Sequence, residues 1–113
     1  MEAKARQTDI KMTARKLRRV INEVRGKAVI DAQKMLRFMP YFAARVVEKN
    51  LTAAVANAQE KYGVAANSLK ISEIYADESV TYKRARTRAQ GRMYSRMKRT
   101  SHLTLKVSDG VNE

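Results

Sequence analysis

Cysteine and tryptophan are absent from this 113-residue chain, and proline occurs once. Without cysteine there are no disulfides, no thiolate metal sites and no cysteine nucleophile. No apolar run approaches the roughly 20 residues that a membrane-spanning helix needs, so no membrane partner is expected. Gly26, Gly63, Gly91 and Gly110 stand apart, which excludes a glycine-rich phosphate loop. The opening residues Met1-Glu2-Ala3-Lys4-Ala5-Arg6 have neither a signal-peptide core nor the acid-poor, serine-rich character of a transit peptide. The expectation is a protein that works where it is made or arrives already trimmed. Acidic residues are missing from one long stretch. Between positions 79 and 108 the chain carries nine basic residues (Lys83, Arg84, Arg86, Arg88, Arg92, Arg96, Lys98, Arg99 and Lys106) and no aspartate or glutamate.

The whole chain has a formal charge of +13 and a pI near 10.4, which points to a polyanionic partner. Hydrophobic residues make up 44%, enough for one folded domain with a modest core. Catalysis finds little support. The single histidine, His102, stands in a strand pattern beside Ser101 with no carboxylate nearby in sequence, so its simplest reading is a polar strand residue facing RNA or solvent. The acidic pair Asp77-Glu78 is a poor metal clamp, because neighbours in an extended segment point to opposite faces. The sequence implies no catalytic residue, no metal site, no cofactor and no small-molecule substrate.

Local patterns give the organisation. Residues 2–9 alternate small with charged, as in an edge strand. Thr13 suits the cap of a helix with Leu17, Val20, Ile21 and Val24 on one face, and Gly26 suits the position just past its end. From Lys11 to Lys27 seven positive residues face one negative residue. A second helix is expected over 29–39, with Ala32, Met35, Leu36 and Met39 on one face; Pro40 stops it and serves in the first turn of the next. That third helix is expected over 41–62, with the stripe Ala44, Val47, Leu51, Ala54, Ala58 and Gly63 as terminator. The small residues of 53–58 suit close helix packing, or close approach by another protein or RNA backbone.

Strands are expected over 69–76, with an alternation slip near Glu73 that marks a bulge, and over 100–108. The basic segment between them forms a long antiparallel hairpin turning around 87–91. Its reach from Asp77 is about 40 Å at ~3.3 Å per residue. Tyr82 and Tyr94 stack on bases or pair across the strands. The fold class is therefore α+β: three helices on a small antiparallel sheet, with a body of 1–77 and 103–113 and a protruding arm of about 78–102. Zinc-finger spacing, a heptad-linked basic region and an RNP-type aromatic pair are all missing, so an irregular folded RNA fits better than a duplex.

At family level the chain resembles the large-subunit ribosomal protein numbered twenty-two, of bacterial and organellar type. The resemblance rests on Thr13-Ala14-Arg15-Lys16-Leu17-Arg18, Arg25-Gly26-Lys27, Leu51-Thr52-Ala53-Ala54-Val55-Ala56-Asn57-Ala58, Lys83-Arg84, Arg88-Ala89-Gln90-Gly91-Arg92 and Lys98-Arg99-Thr100-Ser101-His102. It implies a body at the surface of the large subunit, in a bacterial cytoplasm or a plastid stroma. It also implies a role in subunit assembly and a hairpin running through large-subunit rRNA. Arg15, Lys16, Arg18, Arg25 and Lys27 would then anchor the body, and Lys83, Arg84, Arg86, Arg96, Lys98, Arg99 and His102 would hold rRNA along the shaft. Arg88, Ala89, Gln90, Gly91, Arg92 and Met93 would form a tip facing the nascent peptide in the exit tunnel. Neighbouring large-subunit proteins are implied partners, and macrolides are implied near the tip.

The chain departs from the family's pattern at Thr87, where proline is usual, and at Ser79-Val80, where the family has Gly-Pro. It departs again at Met93-Tyr94, after the tip Gly-Arg. Phe38-Met39-Pro40-Tyr41 is similar to plastid and cyanobacterial members. Two other function classes are compatible with the sequence: a free-standing regulatory or architectural nucleic-acid binder, and a hydrolase centred on His102 with Glu73 or Asp77.

Overall fold

A computed structural model describes residues 2–87 and 93–109, with side chains at these positions except 80 and 82–98. Three antiparallel strands, β1 (Glu2–Ile10), β2 (Lys70–Thr87) and β3 (Met93–Ser108), form a sheet in the order β1-β3-β2. The last strand in sequence is thus the central one. Its apolar residues Leu103, Leu105 and Val107 are fully buried beneath the helices. Thr104 is buried as well, on the opposite face, between its cross-strand neighbours Arg6 and Tyr75.

Three helices, α1 (Ala14–Val24), α2 (Val29–Phe38) and α3 (Phe42–Tyr62), pack on the sheet, and a single 3-10 turn (Ala66–Ser68) leads into β2. The α+β architecture expected from the sequence is what forms. In α1 the predicted stripe Leu17, Val20, Ile21 and Val24 is buried, and Thr13 Oγ1 accepts the Lys16 backbone N–H at 3.4 Å. In α3 the whole predicted stripe is buried, and Gly63 ends the helix at φ +65° with its N–H on the Gln59 carbonyl. That left-handed conformation is one a side chain disfavours.

Two expectations are corrected. The second helix ends at Phe38, one residue early, and Met39 is only partly buried against the core. Pro40 does not enter the first turn of α3, because Met39 (φ −76°, ψ 131°) and Tyr41 (φ −94°, ψ 142°) are both extended and Tyr41 is the cap. Proline's ring disfavours a helical conformation in the residue before it, so Met39 has to leave the helix.

The bulge expected near Glu73 is present: the register shifts between Ile71 and Glu73. Ser72 is the extra residue, so Ile71 and Ile74 both face the core although they are three apart. Beyond Ala76 the two strands run on as a hairpin, paired from Thr81↔Arg99 to Thr87↔Met93. Its connection, and with it the expected tip residues 88–92, lies outside the described residues. The arm stretches the molecule to 62 × 27 × 19 Å. Its radius of gyration is 17.3 Å, against about 13 Å for a compact chain of this length.

Candidate nucleic-acid interface

Because one stripe of α1 is buried, its charged residues fall on the exposed faces. Arg15, Lys16, Arg18 and Arg19 are exposed, and Arg25 and Lys27 follow the helix. Two of these arginines are tied to the sheet. Arg18 donates to the Ala76 carbonyl from Nε at 3.2 Å and Nη2 at 2.8 Å. Arg25 Nη2 donates to the Ile74 carbonyl at 3.1 Å, and its Nη1 donates to Asn22 Oδ1 at 2.9 Å. β2 is an edge strand, so the two guanidinium groups occupy carbonyls that the sheet leaves unpaired. A neutral carbonyl partner does not itself cancel an arginine's positive charge, and Arg18 is held at a fixed place beside the root of the arm.

There a cleft of about 340 Å³ opens, lined by Thr13, Ala14, Arg15, Arg18, Glu78, Ser79, Thr81, Arg99 and Thr100. It joins the first turn of α1 to both strands at the base of the hairpin. Arg15 and Arg18 from one basic cluster thus meet Arg99 from the other. No local sequence pattern links positions 13–18, 78–81 and 99–100, so nothing in the sequence marks Glu78, Ser79 and Thr81 as lining residues.

At the same level both outer strands slip register against β3, β1 between Gln7 and Ile10 and β2 between Glu78 and Thr81. Asp9 occupies the first slip with φ +54°. Its backbone N–H donates to His102 Nδ1 at 3.2 Å, and its Oδ1 accepts from Ser79 Oγ at 3.4 Å. Ser101 Oγ donates to the Met12 carbonyl at 3.0 Å. Polar contacts therefore tie β1, β2 and β3 where the arm leaves the body. His102 is half-buried and uses Nδ1 for a backbone amide, although Asp77 stands opposite it in register. The other carboxylate weighed for hydrolysis, Glu73, lies 3.1 Å from Lys106 Nζ. Hydrogen bonding to Glu73 and then its negative charge hold the Lys106 pKa above the ordinary lysine value.

That ion pair gives one residue of the basic stretch a counter-charge from outside it. Lys106 belongs to the sheet of the body and is paired there. The basic residues 83–99 lie beyond the root, where the register sets Arg84 opposite Arg96 and Lys83 opposite Met97. Like-charged neighbours across strands repel one another unless an anion lies between or around them. Among the described residues no group of three or more histidine, aspartate or glutamate side chains is placed to hold a metal ion.

Similarity to known proteins agrees with this geometry. The family described as "Ribosomal protein L22p/L17e" matches residues 5–108. The "Large ribosomal subunit protein uL22" of Clostridium novyi (strain NT) is 49% identical over 109 residues, covering 96% of this chain and 98% of that protein. The protein of the same name from Synechococcus sp. (strain JA-3-3Ab) is 48% identical over 106 residues, covering 94% of this chain and 86% of its own. A basic face on α1, an arginine-lined cleft and a long hairpin thus sit on a sequence that matches over nearly its whole length, and the chain belongs to the ribosomal protein L22p/L17e family.

Proposed function

We propose that this protein is a structural constituent of the large ribosomal subunit that binds large-subunit rRNA and helps the subunit assemble. The observation that carries this reading is the junction at the root cleft, where Arg15 and Arg18 of α1 meet Arg99 of the arm and Glu78 is the one acid among the lining residues. A single rRNA segment following the cleft would meet Arg15, Lys16, Arg18, Arg25 and Lys27 on the body. Lys83, Arg84, Arg86, Arg96, Lys98 and Arg99 then continue the track along the shaft. His102 contributes at the root through the ring edge not used by Asp9. Arginine predominates in the arm, which suits bidentate contacts with phosphates and stacking on exposed bases.

The functional division into a body (1–77 and 103–113) and an arm (about 78–102) is part of the same proposal. Both register slips fall near its boundary, and the sheet loses its third strand there. An isolated two-stranded hairpin is marginal in water, so its length makes sense as a structure embedded in RNA. Arg88, Ala89, Gln90, Gly91, Arg92 and Met93 would face the nascent peptide of the exit tunnel. The strand pairing runs as far as Thr87↔Met93, the residues that flank this segment. The response to macrolides and contacts with neighbouring ribosomal proteins belong to this part of the reading.

Binding of the purified protein to large-subunit rRNA at graded salt concentrations tests the proposal. Affinity should fall steeply with salt, and deletion of 82–97 should flatten the slope and impair assembly of the subunit. Weak, salt-insensitive binding, or normal assembly and an unchanged macrolide response with the arm deleted, would overturn it. A preference for duplex DNA in competition would favour a free-standing architectural binder instead.

A further inference from the structure

The corner between α2 and α3 exposes aromatic rings to an unusual extent. Phe38, the last residue of α2, is 84% exposed, Phe42, the first of α3, is 68% exposed, and Tyr41 between them is 46% exposed. The corner is held stiffly. Arg45 Nη2 reaches the carbonyls of Leu36, Arg37 and Met39 at the end of α2, and Met39 packs against the core beneath. The rings are therefore presented by a braced backbone.

The surroundings indicate what covers them. From 32 to 47 the sequence has three positive residues (Lys34, Arg37 and Arg45) and no acid. The Arg19 guanidinium lies 5.2 Å from the centre of the Tyr41 ring. Arg19 stands one helical turn from Arg15, which lines the root cleft, so the aromatic corner continues the cationic face of α1. Protein-docking surfaces gather apolar residues at a centre depleted of charge. Here exposed rings alternate with Arg19, Lys34 and Arg37, and of the corner's cations Arg45 is paired, with Glu48 at 3.8 Å, a mix that suits the alternating bases and phosphates of an unpaired nucleotide strand.

We propose that Phe38, Tyr41 and Phe42 form a stacking platform for unpaired bases of the large-subunit rRNA, a contact separate from those of the arm and root cleft. The inference rests on the rRNA-binding reading above. Stacking on a ring is indifferent to salt, whereas the arm's contacts are electrostatic.

The chain has no tryptophan, so Phe42→Trp introduces a single indole, excited selectively over the tyrosines, at an exposed position. Its emission should be quenched when the full-length variant binds protein-free large-subunit rRNA. A Phe38→Ala/Phe42→Ala variant, which removes only exposed rings, should bind roughly tenfold more weakly with an unchanged salt slope. Unquenched emission together with full affinity of the double variant would overturn the platform while leaving rRNA binding by the arm intact. Emission that changes only in the complete subunit would show that a protein covers the corner, and would also overturn it. Failure of the unmodified protein to bind rRNA would remove both readings.

Discussion

Arg18 and Ala76, 58 residues apart in sequence, are joined by two hydrogen bonds from one guanidinium to one carbonyl. The contact fixes the exposed side of α1 to the edge of β2 at its last buried residue before the arm. Arg18→Ala leaves that carbonyl without its partner and removes one of the two arginine ties to β2. A partly buried, charge-assisted bond of this kind contributes about 1–2 kcal/mol. Arg18→Lys should recover little of it, because an ammonium cannot reproduce the forked geometry. Urea denaturation measures the loss. Full recovery by lysine would show that charge alone matters.

The same residue illustrates what sequence makes legible. Counting charges placed Arg18 and Arg25 correctly on an exposed basic face, yet their carbonyl partners lie in β2 and leave no local trace. The helices were legible because each buries a stripe that repeats every three or four residues. The bulge at Ser72 was legible because alternation fails there. Asp9 was not, because its left-handed turn depends on His102 and Ser79, which arrive from two other strands. The cleft stayed hidden for the same reason: it is assembled from three distant segments.

The small residues of α3 divide into two kinds. Ala54 and Ala58 are fully buried, as close packing requires, whereas Ala53, Ala56 and Asn57 are exposed. Asn57 Nδ2 donates to the Lys4 carbonyl at 2.9 Å and holds the helix to β1. Ala54→Leu should overpack the interface at a cost of about 1–3 kcal/mol. Ala53→Leu should leave stability nearly unchanged. Thermal denaturation of the two variants makes the comparison, and equal effects would mean that burial does not govern this segment.

The Glu73–Lys106 pair should act through neutral pH and fail only in strong base. Its lysine pKa is raised by hydrogen bonding to Glu73 and then by that residue's charge. A raised pKa on a cation means that the pair's stabilisation is fully present below the unfolded lysine value, about 10.4. It is lost as pH rises through the folded value. The pair is exposed, so the effect is small and screened by salt. Denaturation midpoints of the wild type and Glu73→Gln should therefore keep a small constant offset through neutral pH and converge in strong base. Convergence near neutrality would contradict this assignment.

Asp9 should tolerate one replacement and reject another. Its φ of +54° lies in the left-handed region that asparagine and aspartate enter more readily than other side chains do. Its carboxylate accepts from Ser79, and its amide donates to His102. Asp9→Asn keeps the backbone preference and an acceptor oxygen, so it should be close to neutral. Asp9→Ala loses the acceptor and strains the turn, at about 1–2 kcal/mol. Asp9→Val adds a branched Cβ and should cost more. Because Asp9 ties β1 to both strands of the arm, the alanine variant should also speed amide exchange at 99–102 while leaving 105–107 protected. Loss of protection along all of β3 would mean that this contact supports the whole sheet and not the root of the arm.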